Sequence, residues 1–255
     1  MDPADHLTAI LTEGARVASL PAESLSAPVP TCPDWDVAGL VTHLGRTHRW
    51  ACSYLVAGPD GDRRQVPKGP PAPEGEAVLS WYRDNLEALV AELGRHQPTD
   101  PAGSFVGTTD VAFWIRRQAH ETTMHRWDAE NAVDPGGAEP VGHDLAVDGI
   151  DEWLSFFVPR FLQLAGGPSA DLVGTTLHLH ATDDGDGAGS PGEWLVRVVP
   201  EGVEVERTHA KGDAALRGPV SDLLLAAWHR LPLERLDVVG DAARARALLD
   251  AVRVT

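Results

Sequence analysis

Four long segments in the first half of this chain carry apolar residues at the spacing of an amphipathic α-helix. Loop-forming residues separate them, and Pro21, Gly94 and the run 134–137 are typical helix-ending signals. Four amphipathic helices with short connections predict a helical bundle. The predicted helices span residues 4–20, 37–57, 76–93 and 110–133.

After this bundle the pattern changes to that of a mixed domain. One more helix is predicted over 145–164, with a bend or break at Pro159. Apolar and polar residues then alternate as in strands, and two helical segments close the chain. The predicted strands are 172–182, 194–199, 203–207 and 213–216, and the closing helices are 221–229 and 242–252.

This succession predicts an α+β fold in which an antiparallel sheet has helices against one side. We expect two domains, a four-helix bundle over residues 1–138 and a smaller α+β domain over 139–255, with the boundary in the 134–142 loop.

Composition excludes several classes of partner. The chain has 255 residues, a net charge of −17 and a pI near 4.9, so its surface should repel nucleic acid and anionic membranes. The longest apolar run, Leu223–Trp228, is far shorter than a membrane span, and the first residues lack the pattern of a signal peptide. Two cysteines fit a reducing compartment, so we expect a cytoplasmic protein.

The run from Ala119 to Asp128 carries the clearest chemical signal. It lies in the fourth predicted helix and sets Glu121 and His125 four residues apart, on one helix face. A carboxylate and an imidazole are two ligands of a divalent metal site, and His43 on the second helix is a candidate third. The alternative is that Glu121 and His125 are two polar side chains on a solvent-exposed helix face, with no metal. His120 lies about 100° around the helix from Glu121, and the zincin pattern H-E-x-x-H is absent, so a zinc protease is not supported.

Other histidines have weaker signals. His178 and His180 alternate on one face of a predicted strand, and they could be ligands. The same face carries Thr176 and Thr182, so we expect it to be solvated. His209 stands alone in the sequence, and no site is predicted there.

Two further motifs are predicted to be structural. The acidic loop beginning at Asp184 has glycine at position six of a calcium loop, but Ala188 and Leu195 stand where ligands are required, which favours a hairpin loop. Cys32 and Cys52 do not have the spacing of a metal knuckle or of a redox C-x-x-C motif. We therefore expect both cysteines to be small, buried apolar residues. Nucleophile-elbow, P-loop and dinucleotide-binding motifs are absent.

Two N-terminal motifs, 29–44 and 119–130, resemble those of the mycothiol-dependent maleylpyruvate isomerase family of actinobacteria. In the first motif, Trp35 and His43 stand at the family's marked positions. The stretch 218–241 is similar to the family's C-terminal domain.

The resemblance implies a DinB-like four-helix bundle followed by a sterol-carrier-like α+β domain. It implies a divalent metal, usually zinc, held by His43, Glu121 and His125, with mycothiol as the thiol cofactor. Asp128 follows His125 by three residues and could orient it, or could be an exposed helix acid. Arg46 shares a face with His43, and with other arginines nearby (Arg116, Arg117 and Arg126) it favours an anionic substrate; surface salt bridges are the alternative.

The expected function is that of a mycothiol-dependent isomerase or thiol S-transferase acting on a small electrophilic, anionic substrate. A thiol that binds the metal loses its proton, and the thiolate can add to an electrophilic double bond. Addition, bond rotation and elimination would isomerise the substrate, whereas addition alone would conjugate it. Two alternatives remain: a non-catalytic protein that binds a metal or a small hydrophobic ligand, and a hydrolase that uses metal-bound water.

Overall fold

The computed structural model describes residues 1–183 and 192–252 of the chain. The chain divides into two compact units, Met1–Glu139 and Pro140–Thr255. Within the described ranges, no helix is long and apolar enough to cross a membrane. The acidic loop that begins at Asp184 falls on residues outside the described ranges, apart from its last positions.

The four predicted helices of the first unit are present, and each begins and ends within three residues of its predicted bounds. Asp2, Asp36 and Asp110 stand just before three of them and accept hydrogen bonds from first-turn backbone N–H groups, which fixes where these helices begin. Gly58 follows the second helix with φ of 75°, a conformation that favours glycine. The helices are α1 (Pro3–Ala18), α2 (Val37–Ala57), α3 (Ala77–Leu93) and α4 (Val111–Val133).

The bundle core is closely packed because small residues let helices approach one another. α2 and α1 each pack against both α3 and α4. A Cβ built on Gly45 of α2 would lie 2.2 Å from a ring carbon of Trp81 on α3, so only glycine fits at this crossing. Large side chains from all four helices are fully buried, among them Ile10, Leu40, Leu44, Leu89 and Trp114.

A short hairpin lies where the sequence predicted only a loop, at residues 96–109. Its strands are β1 (Pro101–Ser104) and β2 (Gly107–Asp110), and they pair antiparallel. The buried Trp114 donates its indole N–H to the carbonyl oxygen of Gly103 at 2.8 Å, which fixes the hairpin on α4. Four-residue strands rich in Gly, Ser and Thr carry too little apolar alternation to be read from sequence.

The helical segment that opens the second unit passes through Pro159 without a break. α5 (His143–Glu152) leads into a π-helical turn, Trp153–Phe157, and then α6 (Val158–Leu164). Because proline lacks an N–H and its ring crowds the preceding turn, regular α-helical hydrogen bonding cannot continue there. The wider π turn just before Pro159 accommodates this defect.

A five-stranded sheet in the order β5-β4-β3-β6-β7 forms the centre of the second unit. The α+β class of this unit is as predicted, but the sheet was predicted to be antiparallel and is mixed. β3 pairs parallel with β6, whereas the other strand pairs of the sheet are antiparallel. One strand, β7, was not predicted. The remaining elements are β3 (Thr176–Ala181), β4 (Glu193–Val199), β5 (Gly202–Glu206), β6 (Ala214–Gly218), α7 (Val220–Ala227), β7 (Asp237–Gly240) and α8 (Ala242–Asp250).

Candidate metal centre

The structure brings together the three residues that the sequence singled out as metal ligands. Glu121 and His125 lie on successive turns of α4, and His43 lies opposite them on α2. His43 Nε2 is 3.0 Å from Glu121 Oε1, and His125 Nε2 is 3.6 Å from the same oxygen. One ligand atom from each residue lies within 4.8 Å of the others. Two imidazoles and a carboxylate therefore face one point between the two helices.

The electrostatics of this group keep the carboxylate ionised. Burial opposes the charge on Glu121, but the adjacent imidazoles of His125 and His43 hold its pKa well below the usual value. Burial likewise opposes protonation of His125, yet its hydrogen bond to Asp128 and the nearby charge of Glu121 raise its pKa to about 9. Without a metal, the proton on His125 therefore offsets carboxylate charge in the site, and a bound cation would take the place of that proton.

Asp128 is in contact with His125. It is therefore not an exposed helix acid, which was the alternative prediction for this residue. Its carboxylate is fully buried, and His125 Nδ1 lies 2.9 Å from Oδ2. Its other oxygen accepts a hydrogen bond of 2.6 Å from the hydroxyl of Thr31. Because Nδ1 donates to Asp128, Nε2 faces Glu121 and His43, and on losing its proton to a bound metal it would have the orientation that a metal ligand needs.

The turn that precedes α2 contributes side chains whose role the sequence did not define. The ring of Trp35 lies 4.6 Å from that of His43 and 5.8 Å from that of His125, between centroids. Cys32 is close as well, since ligand atoms of Cys32, His125 and Asp128 lie within 4.8 Å of one another. The proline-rich composition of this turn was the only sequence signal that it adopts a fixed shape beside the helices.

Cys52 lies on α2, nine residues after His43. Burial raises the pKa of the Cys52 thiol to about 12, so it stays protonated at neutral pH. Neither cysteine is in a disulfide. Both cysteines are half-buried, whereas the sequence led us to expect fully buried residues.

The four arginines near these motifs have different roles. Arg117 donates to Glu121 Oε2 at 3.2 Å. Arg126 is 1% exposed and pairs with Glu130 at 3.0 Å and with Glu13, so it holds α4 to its neighbours. Arg46 is exposed, and no hydrogen bond or ion pair to it is found in the described part of the chain. Arg116 is half-buried on α4.

Other histidines of the bundle lie off this centre. His120 packs edge-on against His6 of α1, with ring centroids 5.7 Å apart, so it faces a different side of α4. His48 of α2 is fully buried, and its Nδ1 is 2.8 Å from the amide oxygen of Gln118. Desolvation lowers the pKa of His48 to about 4, so its imidazole is neutral at pH 7.

Comparison with known proteins agrees with this fold. The N-terminal domain model of the mycothiol maleylpyruvate isomerases matches residues 7–130, and their C-terminal domain model matches residues 144–247. A crystal structure of the mycothiol-dependent maleylpyruvate isomerase superposes with a TM-score of 0.62, covers 95% of both chains and is 11% identical. A histidine-to-alanine mutant of that enzyme gives a TM-score of 0.61 with the same coverage and identity.

Identity this low shows the fold alone, and no curated protein matches the sequence significantly. The two family models, however, together cover most of the chain from the first helix to the last. The chain is therefore an enzyme of the mycothiol-dependent maleylpyruvate isomerase family.

Proposed function

We propose that this enzyme binds a divalent metal, zinc in the first instance, through His43, Glu121 and His125 and uses mycothiol to act on a small electrophilic, anionic substrate. The observation that carries the proposal is the convergence of these three side chains, in a chain that both family models match. The reaction is an isomerisation or a thiol transfer.

The donor set fits the metal. Two imidazoles and one carboxylate are typical of zinc sites that keep a position open for a further ligand. A zinc ion bound there would act as a Lewis acid that favours the thiolate form of a bound thiol. The ionised Glu121 supplies one negative charge, which leaves net positive charge for an anionic ligand.

Residues around the ligands prepare them for this task. Asp128 holds a proton at Nδ1 of His125 and so keeps Nε2 available. Arg117 binds the outer oxygen of Glu121 and thereby fixes the orientation of the carboxylate. Trp35 packs against both imidazole rings and so limits their contact with water.

Metal content tests the site directly. Zinc per chain is measured by elemental analysis in the wild type, in Glu121→Gln and in Glu87→Gln, a control at an exposed position of α3. We expect Glu121→Gln to hold about one zinc fewer per chain than the wild type, and Glu87→Gln to hold as much as the wild type. Equal zinc in all three proteins would contradict the ligand assignment.

Calorimetric titration with mycothiol then tests the reaction class. We expect the zinc-loaded wild type to bind mycothiol and zinc-depleted Glu121→Gln not to bind it. Turnover of maleylpyruvate is followed with and without mycothiol, and product mass separates isomer from thiol adduct. Zinc binding without thiol binding would instead indicate a metal-water hydrolase or a non-catalytic binding protein.

A further inference from the structure

A second group of metal-binding side chains lies on the sheet of the second unit. His178 and His180 share one face of β3, and Glu193 of β4 is the direct cross-strand partner of His180. His209 follows β5, the strand on the other side of β4. Three separate segments of the chain therefore bring four potential ligands to one place.

The three imidazoles surround the carboxylate of Glu193. His180 Nδ1 lies 2.6 Å and His209 Nδ1 lies 2.9 Å from Oε1 of Glu193, while His178 Nε2 contacts Oε2. The centroids of the three rings are 5.2 to 5.6 Å apart in every pairing. One ligand atom from each of the four residues lies within 4.8 Å of all the others.

Burial corrects the expectation that this strand face is solvated. His178 is 6% exposed and Glu193 is 7% exposed, whereas His209 lies at the surface. The sequence alone did not show that Glu193 and His209 lie beside the histidines of β3. For Glu193 this depends on strand register, and for His209 on the path of the chain after β5.

We propose that His178, His180, Glu193 and His209 form a second divalent metal site, of the zinc class, in the second unit. Three nitrogen donors and one oxygen suit zinc and its transition-metal neighbours rather than magnesium or calcium, which take oxygen ligands. The single carboxylate charge offsets half of the charge of a dication. All four residues belong to the second unit, so this site does not depend on the proposed function.

The present distances need little change to bind an ion. In a tetrahedral zinc site with bonds of about 2.1 Å, ligand atoms lie roughly 3.4 Å apart. The Glu193 contacts are shorter than this and the whole group lies within 4.8 Å, so shifts on the order of an ångström suffice. The nitrogens that now face the carboxylate would face the ion.

The role that follows is structural. Zinc sites with four protein ligands are closed and stabilise folds, whereas sites with three leave a position for substrate. Here the ion would join β3 and β4 to the segment after β5, and His209 would be the ligand that fastens this segment to the sheet. Removing His209 would leave three ligands on the hairpin.

The proposal is tested by measuring zinc per chain in a His43→Ala variant, called the background. In this variant the bundle site should no longer hold an ion, so the remaining zinc reports on the second unit. Variants His209→Ala and His180→Ala are compared with His143→Ala, a histidine of the same unit outside the cluster. We expect the background and His143→Ala to bind about one zinc per chain. We expect His209→Ala and His180→Ala to weaken zinc at least about tenfold in chelator competition.

A second readout separates ligation from folding. Cobalt(II) in the background protein should give the visible absorption of a tetrahedral site, and Glu193→Gln, which keeps the side-chain size, should alter it. His209 is at the surface, so His209→Ala should keep the circular dichroism of the background. The proposal is overturned if the background binds no zinc, or if both histidine variants bind it as tightly as His143→Ala does.

Discussion

Acid should destabilise the bundle through one buried histidine, His48, and the effect can be calculated. The imidazole has a usual pKa of 6.5, and desolvation in the fold lowers it to about 4. Below pH 6.5 the unfolded chain therefore takes up a proton that the folded chain excludes. Stability is complete above pH 6.5 and declines as the pH falls from 6.5 towards 4.

The size of the effect follows from the pKa difference. A full difference of about 2.5 units corresponds to about 3 kcal/mol, since one unit is worth about 1.4 kcal/mol. Between pH 7 and pH 5 the loss in free energy of unfolding from this group is about 2 kcal/mol. Most of it develops below pH 6.

The variant His48→Asn removes the titration while keeping a hydrogen-bond donor near the position of Nδ1, facing Gln118. Urea unfolding followed by tryptophan fluorescence, at pH 7 and pH 5 in the presence of a chelator, gives the free energies. We expect the loss from pH 7 to pH 5 to be about 2 kcal/mol smaller in His48→Asn than in the wild type.

Thr122→Ala is the control, because it opens space on α4, the helix that carries Gln118, without removing a titratable group. It should lower stability equally at both pH values. Equal losses in the wild type and His48→Asn would refute the reasoning, because His48 would then take up its proton in the folded chain.

Three further substitutions or modifications test other parts of the bundle. Asp128→Asn should lower zinc affinity roughly 10- to 100-fold in chelator competition, because His125 loses its charged acceptor; unchanged affinity would assign Asp128 to helix packing alone. Gly45→Ala should cost about 1–3 kcal/mol in urea unfolding, because its Cβ would overlap Trp81, and a neutral result would mean that the indole moves freely. With the other cysteine replaced by serine, Cys52 should react with iodoacetamide at pH 8 far more slowly than free cysteine, as mass spectrometry can measure; rapid alkylation would contradict a pKa of about 12.

Local signals predicted the bundle well. The bounds of α2 agree with the structure at both ends, because Asp36 caps its first turn and Gly58 supplies the backbone conformation that ends it. Likewise, the spacing of Glu121 and His125 alone places them on one helix face. Helical geometry is local, so a sequence can show it directly.

What depends on pairing between distant segments was not readable in the same way. His43 was a candidate third ligand from its residue type, and the family resemblance supported it, but spacing along the chain could not place it opposite the pair on α4, because helix packing decides which faces meet. The parallel pairing of β3 with β6 and the addition of β7 depend on a chain crossover that alternation does not encode. The same limit hid Glu193, whose side chain reaches the histidines of β3 through strand register.

The mixed sheet also implies an order of folding for the second unit. β3 is central, and its two neighbours differ in when they can join it: β4 follows directly along the chain, whereas β6 arrives only after β4 and β5. Because closing a longer loop costs more chain entropy, the antiparallel β3–β4 ribbon should form first and β6 should dock onto it later. The step that sets the folding rate of this unit is then the arrival of β6 at the open edge of β3.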